Sequence, residues 1–346
     1  MQKPNFMTRV FFWLMLGLLS TFFAEFLSGS APDFLLTAFG YWGIFPIYML
    51  HTVLLASLIL RKKRQFSLRS LYFASLLFGM YEAYITKVIW APPWNPDGFH
   101  IANIALVETL LLVLFWHSVF SFLIPILIGE TLLTDSRRLH ALLPQKLQVR
   151  IGKQKTAILF GGIASILFAA AVTSIDDAIS LTLLNCIAAT LAILVWRFFT
   201  HKKQYDILDL LPRKWEVVVL AFLLLLVYLN FGFNLNRQVH PGFTGHLAVL
   251  ALYAAIITFA IISVKTDKTR DEKFQEKAAD PAAGFQMKNW FLFCGSLLIS
   301  SIGINLLPEI VQELLSGMMF VVYIAAGIIF LALSIRDLGQ KKPAPG

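Results

Sequence analysis

The chain is poor in charge. Only 14% of its 346 residues are Asp, Glu, Lys or Arg, while 58% are apolar. A soluble domain carries about 25% charged and 45–50% apolar residues. This shortage excludes a soluble enzyme and a disordered chain. Cysteine is equally scarce. Cys186 and Cys294 both lie in apolar runs, which excludes a disulfide-stapled secreted scaffold and a cysteine-built metal cluster. No Gly-rich phosphate-binding loop is present, so the chain does not read as an ATPase. No His-x-x-x-His pair is present either, so a zinc site is undersupplied. Long polar loops are missing too; the longest, 265–288, alternates charge and reads as a short helix or a solvated linker.

What the chain has is hydrophobic length. Its apolar residues suffice for about ten spans of the ~20 residues that a bilayer core requires. Ten runs answer to this, near 10–27, 35–60, 71–90, 104–133, 156–173, 178–199, 215–233, 244–264, 289–307 and 314–335. The sequence therefore predicts an all-α, polytopic integral membrane helix bundle of about ten transmembrane helices.

The net charge of +9 follows from the same division. All but two of the 29 Lys and Arg residues, Lys87 and Arg237, fall on one side of a ten-span chain. The positive-inside rule makes that side cytoplasmic, with both termini inside and the plasma membrane as the expected location. The basic balance is thus topology, and nucleic acid is not an expected partner. The expected partners are the bilayer itself and anionic lipid headgroups at the basic loops, worth roughly 1 kcal/mol per residue near the surface. A stretch such as Met1–Arg9 before an apolar run ending near Ser28-Gly29-Ser30-Ala31 also fits a cleaved signal. Glu25 inside the run argues for a retained helix.

An ionisable group inside a bilayer is costly and marks a functional candidate. These groups cluster in the first four spans: Glu25, His51, Glu82, Lys87, Glu108, His117 and Glu130. Spans five to ten hold no carboxylate or lysine well inside a helix. The chain accordingly divides into a polar-site half of four transmembrane helices (1–133), a basic cytoplasmic loop (134–155), a mostly apolar scaffold half of six helices (156–335) and a cytoplasmic tail (336–346).

Depth and facing narrow the candidates. Glu82 lies near the middle of span three and His117 near the middle of span four, in about the same plane. At 100° per residue, Ser75, Gly79, Glu82 and Thr86 share one stripe, and Gly79 permits close approach of a partner helix. His117 and Ser121 share a face, while Glu108 points away. Pro125 removes a backbone bond to the Ser121 carbonyl, and Pro46 offers a second interruption. Glu82 and His117 are thus the expected coupling or general acid/base pair. Glu25, Ser75, Thr86, His100 and Ser121 are the expected substrate-binding residues, and no metal ligand set or cofactor is identified. The stiff outer segment Trp90–His100, with three prolines, reads as a headgroup-level cap or a lid over this region.

Two functions fit. The first is a transporter or permease in which Glu82 and His117 couple a proton or ion to a small-molecule or ion substrate, at a site opening to the outer face. The second is an intramembrane hydrolase or transferase that uses the same pair, alone or with a metal. The segment Tyr81-Glu82-Ala83-Tyr84-Ile85-Thr86-Lys87 resembles in outline the Glu-Glu-x-x-x-Arg signature of glutamate-dependent intramembrane proteases. It departs from that signature in having Tyr81 for the first Glu, and Lys87 five residues after Glu82 rather than an Arg four after it.

Overall fold

The computed structural model describes residues 3–60, 65–172, 174–200, 205–267 and 284–339. The expected linker between 268 and 283 and the last residues of the tail lie outside them. Among the described residues, nine helices are long and apolar enough to cross a membrane. They are α1 (Phe6–Phe26), α2 (Gly40–Ile59), α5 (Leu106–Leu133), α6 (Gln154–Ala171), α7 (Ile175–Thr200), α8 (Lys214–Asn234), α9 (Gly242–Asp267), α10 (Met287–Asn305) and α11 (Glu309–Gly339). The expected third span is instead two pieces, α3 (Leu68–Gly79) and the single turn α4 (Tyr81–Tyr84). A short ribbon, β1 (His100–Ile101) and β2 (Ile104–Ala105), precedes α5.

The broken segment still runs from one face to the other. At its start, Arg69 pairs with Asp267 at the last turn of α9 (2.9 Å). At its end, Lys87 donates to the carbonyls of Leu235 (3.0 Å) and Asn236 (3.1 Å), just before α9 begins. Trp90 then packs edge-on against His246 in the first turns of α9. Residues 69–90 therefore lie antiparallel along α9, so that among the described residues this broken segment runs beside the nine long helices as a tenth.

One face gathers the ion pairs. Arg9 forms a bidentate bond to Glu216 (both contacts 2.5 Å), Arg138 pairs with Asp206 (2.7 Å), and Arg69 also reaches the Asp337 carbonyl (2.7 Å). These contacts bring the starts of α1, α3 and α8 and the ends of α9 and α11 to the Lys/Arg-rich side. The opposite face joins Asn185 to the Pro32 carbonyl and Asn103 to the Pro241 carbonyl (both 2.8 Å). Local caps open two of the helices: Asn5 accepts from the Thr8 amide, and Ser67 and Ser70 cap α3 reciprocally.

Burial is uneven. The α5 helix is largely enclosed, whereas α8, α9 and α11 turn most of their side chains outward. Val218, Phe233 and Val321 are each about 70% exposed, an apolar exterior that suits a lipid surround. The α1 helix packs into the interior: Phe12, Leu16 and Phe23 on it are fully buried. Cys186 on α7 and Cys294 on α10 are unbridged.

Candidate functional site

Three helical segments near the candidate residues depart from α-geometry. Phe22–Phe26, Gly40–Ile44 and Leu112–Leu123 are wound as π-helix. Two of them have a visible cause. Pro46 and Pro125 follow directly, at the first positions of the α-helical continuations. A proline ring clashes with the carbonyl four residues back and supplies no N–H, and a wider i→i+5 turn relieves both problems. The prolines thus widen helices α2 and α5 rather than interrupting them. The interruption falls at Met80, where no proline stands. Its carbonyl accepts from the Ala83 amide three residues on (3.1 Å) and from Tyr253 Oη of α9 (3.0 Å), so the tightened turn is held by a backbone bond and by a side chain of a distant helix.

Gly79 fixes the approach of the broken helix to α5. A Cβ there would stand 2.6 Å from Val113 Cα and 3.1 Å from the Leu112 carbonyl oxygen. The two backbones therefore touch one turn before Glu82. This contact presents Glu82 to α5, where His117 Nε2 lies 2.7 Å from Glu82 Oε1. The other ring nitrogen, Nδ1, meets Ser121 Oγ at 3.0 Å. Thr86 Oγ1 closes the far side by donating to Glu82 Oε2. Glu82 and His117 are 5% and 2% exposed, and His117 sits near the middle of the 28-residue α5 helix. The pair is therefore buried at mid-depth.

A second cluster adjoins the first. Tyr48 Oη on α2 donates to Glu25 Oε1, and Ser30 Oγ donates to Glu25 Oε2. Tyr48 Oη also meets Tyr81 Oη at 2.9 Å. The Tyr81 ring stands edge-on to His117, with centroids 4.9 Å apart. His51 bonds to the Ile47 carbonyl (2.8 Å) and to Tyr228 Oη (3.0 Å), and its ring stacks on Phe78 at 4.8 Å. Both carboxylates, Glu25 and Glu82, thus lie around one aromatic wall made by Tyr48, Phe78 and Tyr81.

The sequence-predicted residues fall into groups. Glu82, His117, Thr86 and Ser121 are joined by hydrogen bonds, and Glu25 stands one aromatic layer away. Ser75 is buried but donates to the Tyr72 carbonyl (2.6 Å) and does not join them. His100 lies on the far face, bonded to the Gly98 carbonyl (2.5 Å). It lines a cleft of about 480 Å³ with Trp90, Asn103 and His240. Glu108 accepts from Asn95 of the outer segment (2.9 Å), away from His117 as its facing required. Glu130 is a cap: it accepts from the Leu139 and His140 amides (3.0 and 3.1 Å) and from Ser136 (2.9 Å). The carbonyl of Ser121, expected to be free, accepts from Ser20 of α1 (2.5 Å). Among the described residues, no group of three His, Cys, Asp or Glu side chains is arranged to hold a metal ion.

Sequence reasoning missed Tyr48, Tyr81, Tyr228 and Tyr253. A signal was present, because a phenol inside a bilayer needs a hydrogen-bond partner there. Lys87 and Asn236, which join at the end away from the ion-paired face, both have left-handed backbones (φ 63° and 43°). Asn236 Nδ2 donates to the Thr86 carbonyl (2.7 Å). Two non-glycine residues in this region beside Glu82 mark a strained, overdetermined corner.

The chain belongs to a family described as an uncharacterized membrane protein family, whose model matches residues 14–338. It is similar to an uncharacterized protein of Archaeoglobus fulgidus, with 33% identity over 270 residues that cover 78% of this chain and 82% of the relative. No solved structure matches it.

Proposed function

We propose that this protein is a carrier of the cell membrane in which the Glu82–His117 pair couples a proton or ion to the movement of a small solute. The observation that supports this reading is the 2.7 Å contact between a carboxylate and an imidazole buried at mid-depth. It forms where one helix is broken and its neighbour is wound as π-helix. Carboxylate–histidine pairs serve as intramembrane proton relays, and discontinuous helices at mid-depth are the usual setting of carrier sites. π-Segments are common at functional sites. The charge distribution supports a cytoplasmic ion-paired face and cytoplasmic termini, with the basic loops against anionic headgroups. The site then opens toward the far face, along Thr86 and the exposed Asn236.

A second reading rests on a specific observation. Ser121 Oγ, the His117 ring and the Glu82 carboxylate lie in one hydrogen-bonded line, the order of nucleophile, base and orienting acid. An intramembrane hydrolase or transferase would use that line with Ser121 as nucleophile.

One experiment separates the two. The full chain is reconstituted in liposomes containing a pH-sensitive dye, a panel of solutes is added, and the same panel is incubated with the protein in detergent. Solute-dependent proton flux supports the carrier, and loss of that flux in Glu82→Gln and His117→Ala completes the assignment. Product formation in detergent, where no gradient exists, supports the enzyme, and Ser121→Ala then abolishes it. Full activity of Glu82→Gln in either assay removes both readings.

A further inference from the structure

The Glu25 cluster is placed to exchange protons with the pair. Glu25 sits at the far-face end of α1, and its Oε2 accepts from Ser30, which is exposed. Ser30 in turn meets Ser28 Oγ at 2.7 Å. Inward from Glu25, Tyr48 donates to Oε1, and the Tyr48 and Tyr81 hydroxyls are 2.9 Å apart. Every link in this string is a hydroxyl or a carboxyl, groups that both give and take a proton. The string runs from the surface to Tyr48, which is mid-way along α2, and ends on the residue next to Glu82. Tyr48 and Tyr81 are 2% and 3% exposed, so water does not compete along it. The ionisable groups facing this region are Glu25, Glu82, His117 and His51, with the two phenols themselves.

The directions of the bonds have a consequence. Because Tyr48 donates to Glu25, the hydrogen between the two phenols belongs to Tyr81. A proton arriving on Tyr81 Oη therefore sends the Tyr81 hydrogen to Tyr48 Oη. The Tyr48 hydrogen then passes to Glu25 Oε1, leaving a neutral acid; one proton enters and one is delivered. Uptake is the same sequence after both hydroxyls have turned. No hydrogen bond joins Tyr81 to Glu82 or His117, although the Tyr81 and His117 rings touch. A wire continuous with the pair would let protons leak across without solute, so a gap at this point is what a coupled carrier needs. The gap lies in α4, a single turn released from α3 at Met80.

We propose that Glu25 is the outer proton port of the Glu82–His117 pair, with Tyr48 and Tyr81 as the conduit and the α4 turn as its switch. This rests on the pair being the proton-binding centre. The test uses the full chain in nanodiscs, with carboxyl and imidazole protonation followed by infrared spectroscopy after a rapid pH drop. Three variants are compared: Glu82→Gln, Tyr48→Phe, and Tyr228→Phe, which loses a hydroxyl bonded to His51 but off the string. The expectation is that Tyr48→Phe slows proton uptake by the pair by about 100-fold, the scale of a lost positioned proton-transfer group. Its final protonation and the Tyr228→Phe rate stay as in the wild type. An unchanged rate in Tyr48→Phe overturns the conduit, as does a Tyr228→Phe rate that falls equally. If Glu82→Gln removes no titrating carboxyl signal, the pair is not a proton centre, and the reading beneath this one fails instead.

Discussion

Replacing Gly79 with alanine probes the contact on which the site depends. The added Cβ would stand 2.6 Å from Val113 Cα, 3.1 Å from the Leu112 carbonyl oxygen and 3.3 Å from Val113 Cβ. Carbon atoms pack at about 3.5–4.0 Å, so the broken helix and α5 must separate by about 1 Å. Overpacking of this size costs about 1–3 kcal/mol. Gly295 in α10 provides the control, because a Cβ there meets nothing within 4 Å. Gly295→Ala gains about 0.5–1 kcal/mol from the reduced freedom of the unfolded chain. The two substitutions are chemically identical and are expected to move stability in opposite directions, by about 1.5–4 kcal/mol in total. Reversible unfolding in mixed micelles measures this difference. Trimming the neighbour with Val113→Ala does not rescue Gly79→Ala, because the nearest atoms are backbone. A separation of about 1 Å also stretches the 2.7 Å Glu82–His117 contact beyond hydrogen-bond length. Misplacement on that scale costs about 100-fold in a positioned reaction, so the proton coupling proposed for the pair is expected to fall with stability. Equal stability of Gly79→Ala and Gly295→Ala, or rescue by Val113→Ala, refutes the close backbone approach.

Two further outcomes follow from the ion-paired face and the fold's polarity. Arg69→Leu strands the Asp267 carboxylate, which is fully buried, and is expected to cost about 3–5 kcal/mol, whereas Arg69→Leu with Asp267→Leu recovers much of it; the same unfolding measurement decides, and a single variant no worse than the double removes the argument. With Cys186 and Cys294 replaced by serine, Trp94→Cys and Lys155→Cys, both at exposed positions, are expected to react with a membrane-impermeant maleimide from opposite sides, Trp94→Cys from outside intact cells; labelling of both from one side contradicts ten traverses.

The third traverse shows how far local information reaches. Its apolar length and its flanking charges, Arg69 and Lys87, were legible in the sequence, and so was the small, polar stripe holding Gly79 and Glu82. The break at Met80 was not, because the strongest local breakers, Pro46 and Pro125, lie on other helices. Those prolines only widen their own helices, while Tyr253, from a helix more than 150 residues away, adds a second donor to the Met80 carbonyl beside the Ala83 amide. The sorting of the candidates followed the same division. Glu82 and His117 could be matched by depth, since rise per residue is a local quantity. Ser75 shared their stripe but turned to its own backbone, a competition that serine decides by what else is within reach.

The sequence by itself determined that the chain is a polytopic helix bundle, and it concentrated the cations in alternate loops of a ten-span reading. Those properties depend on apolar length and on a charge count, which each segment carries alone. It also confined the costly ionisable groups to the first four spans. Only the tertiary structure decided which of them meet. Contacts between Glu82 and His117, Glu25 and Tyr48, or Arg69 and Asp267 depend on how helices distant in sequence pack. Here that packing is set by a glycine with no Cβ, by prolines that rewind a turn, and by phenols that must find partners where water is absent.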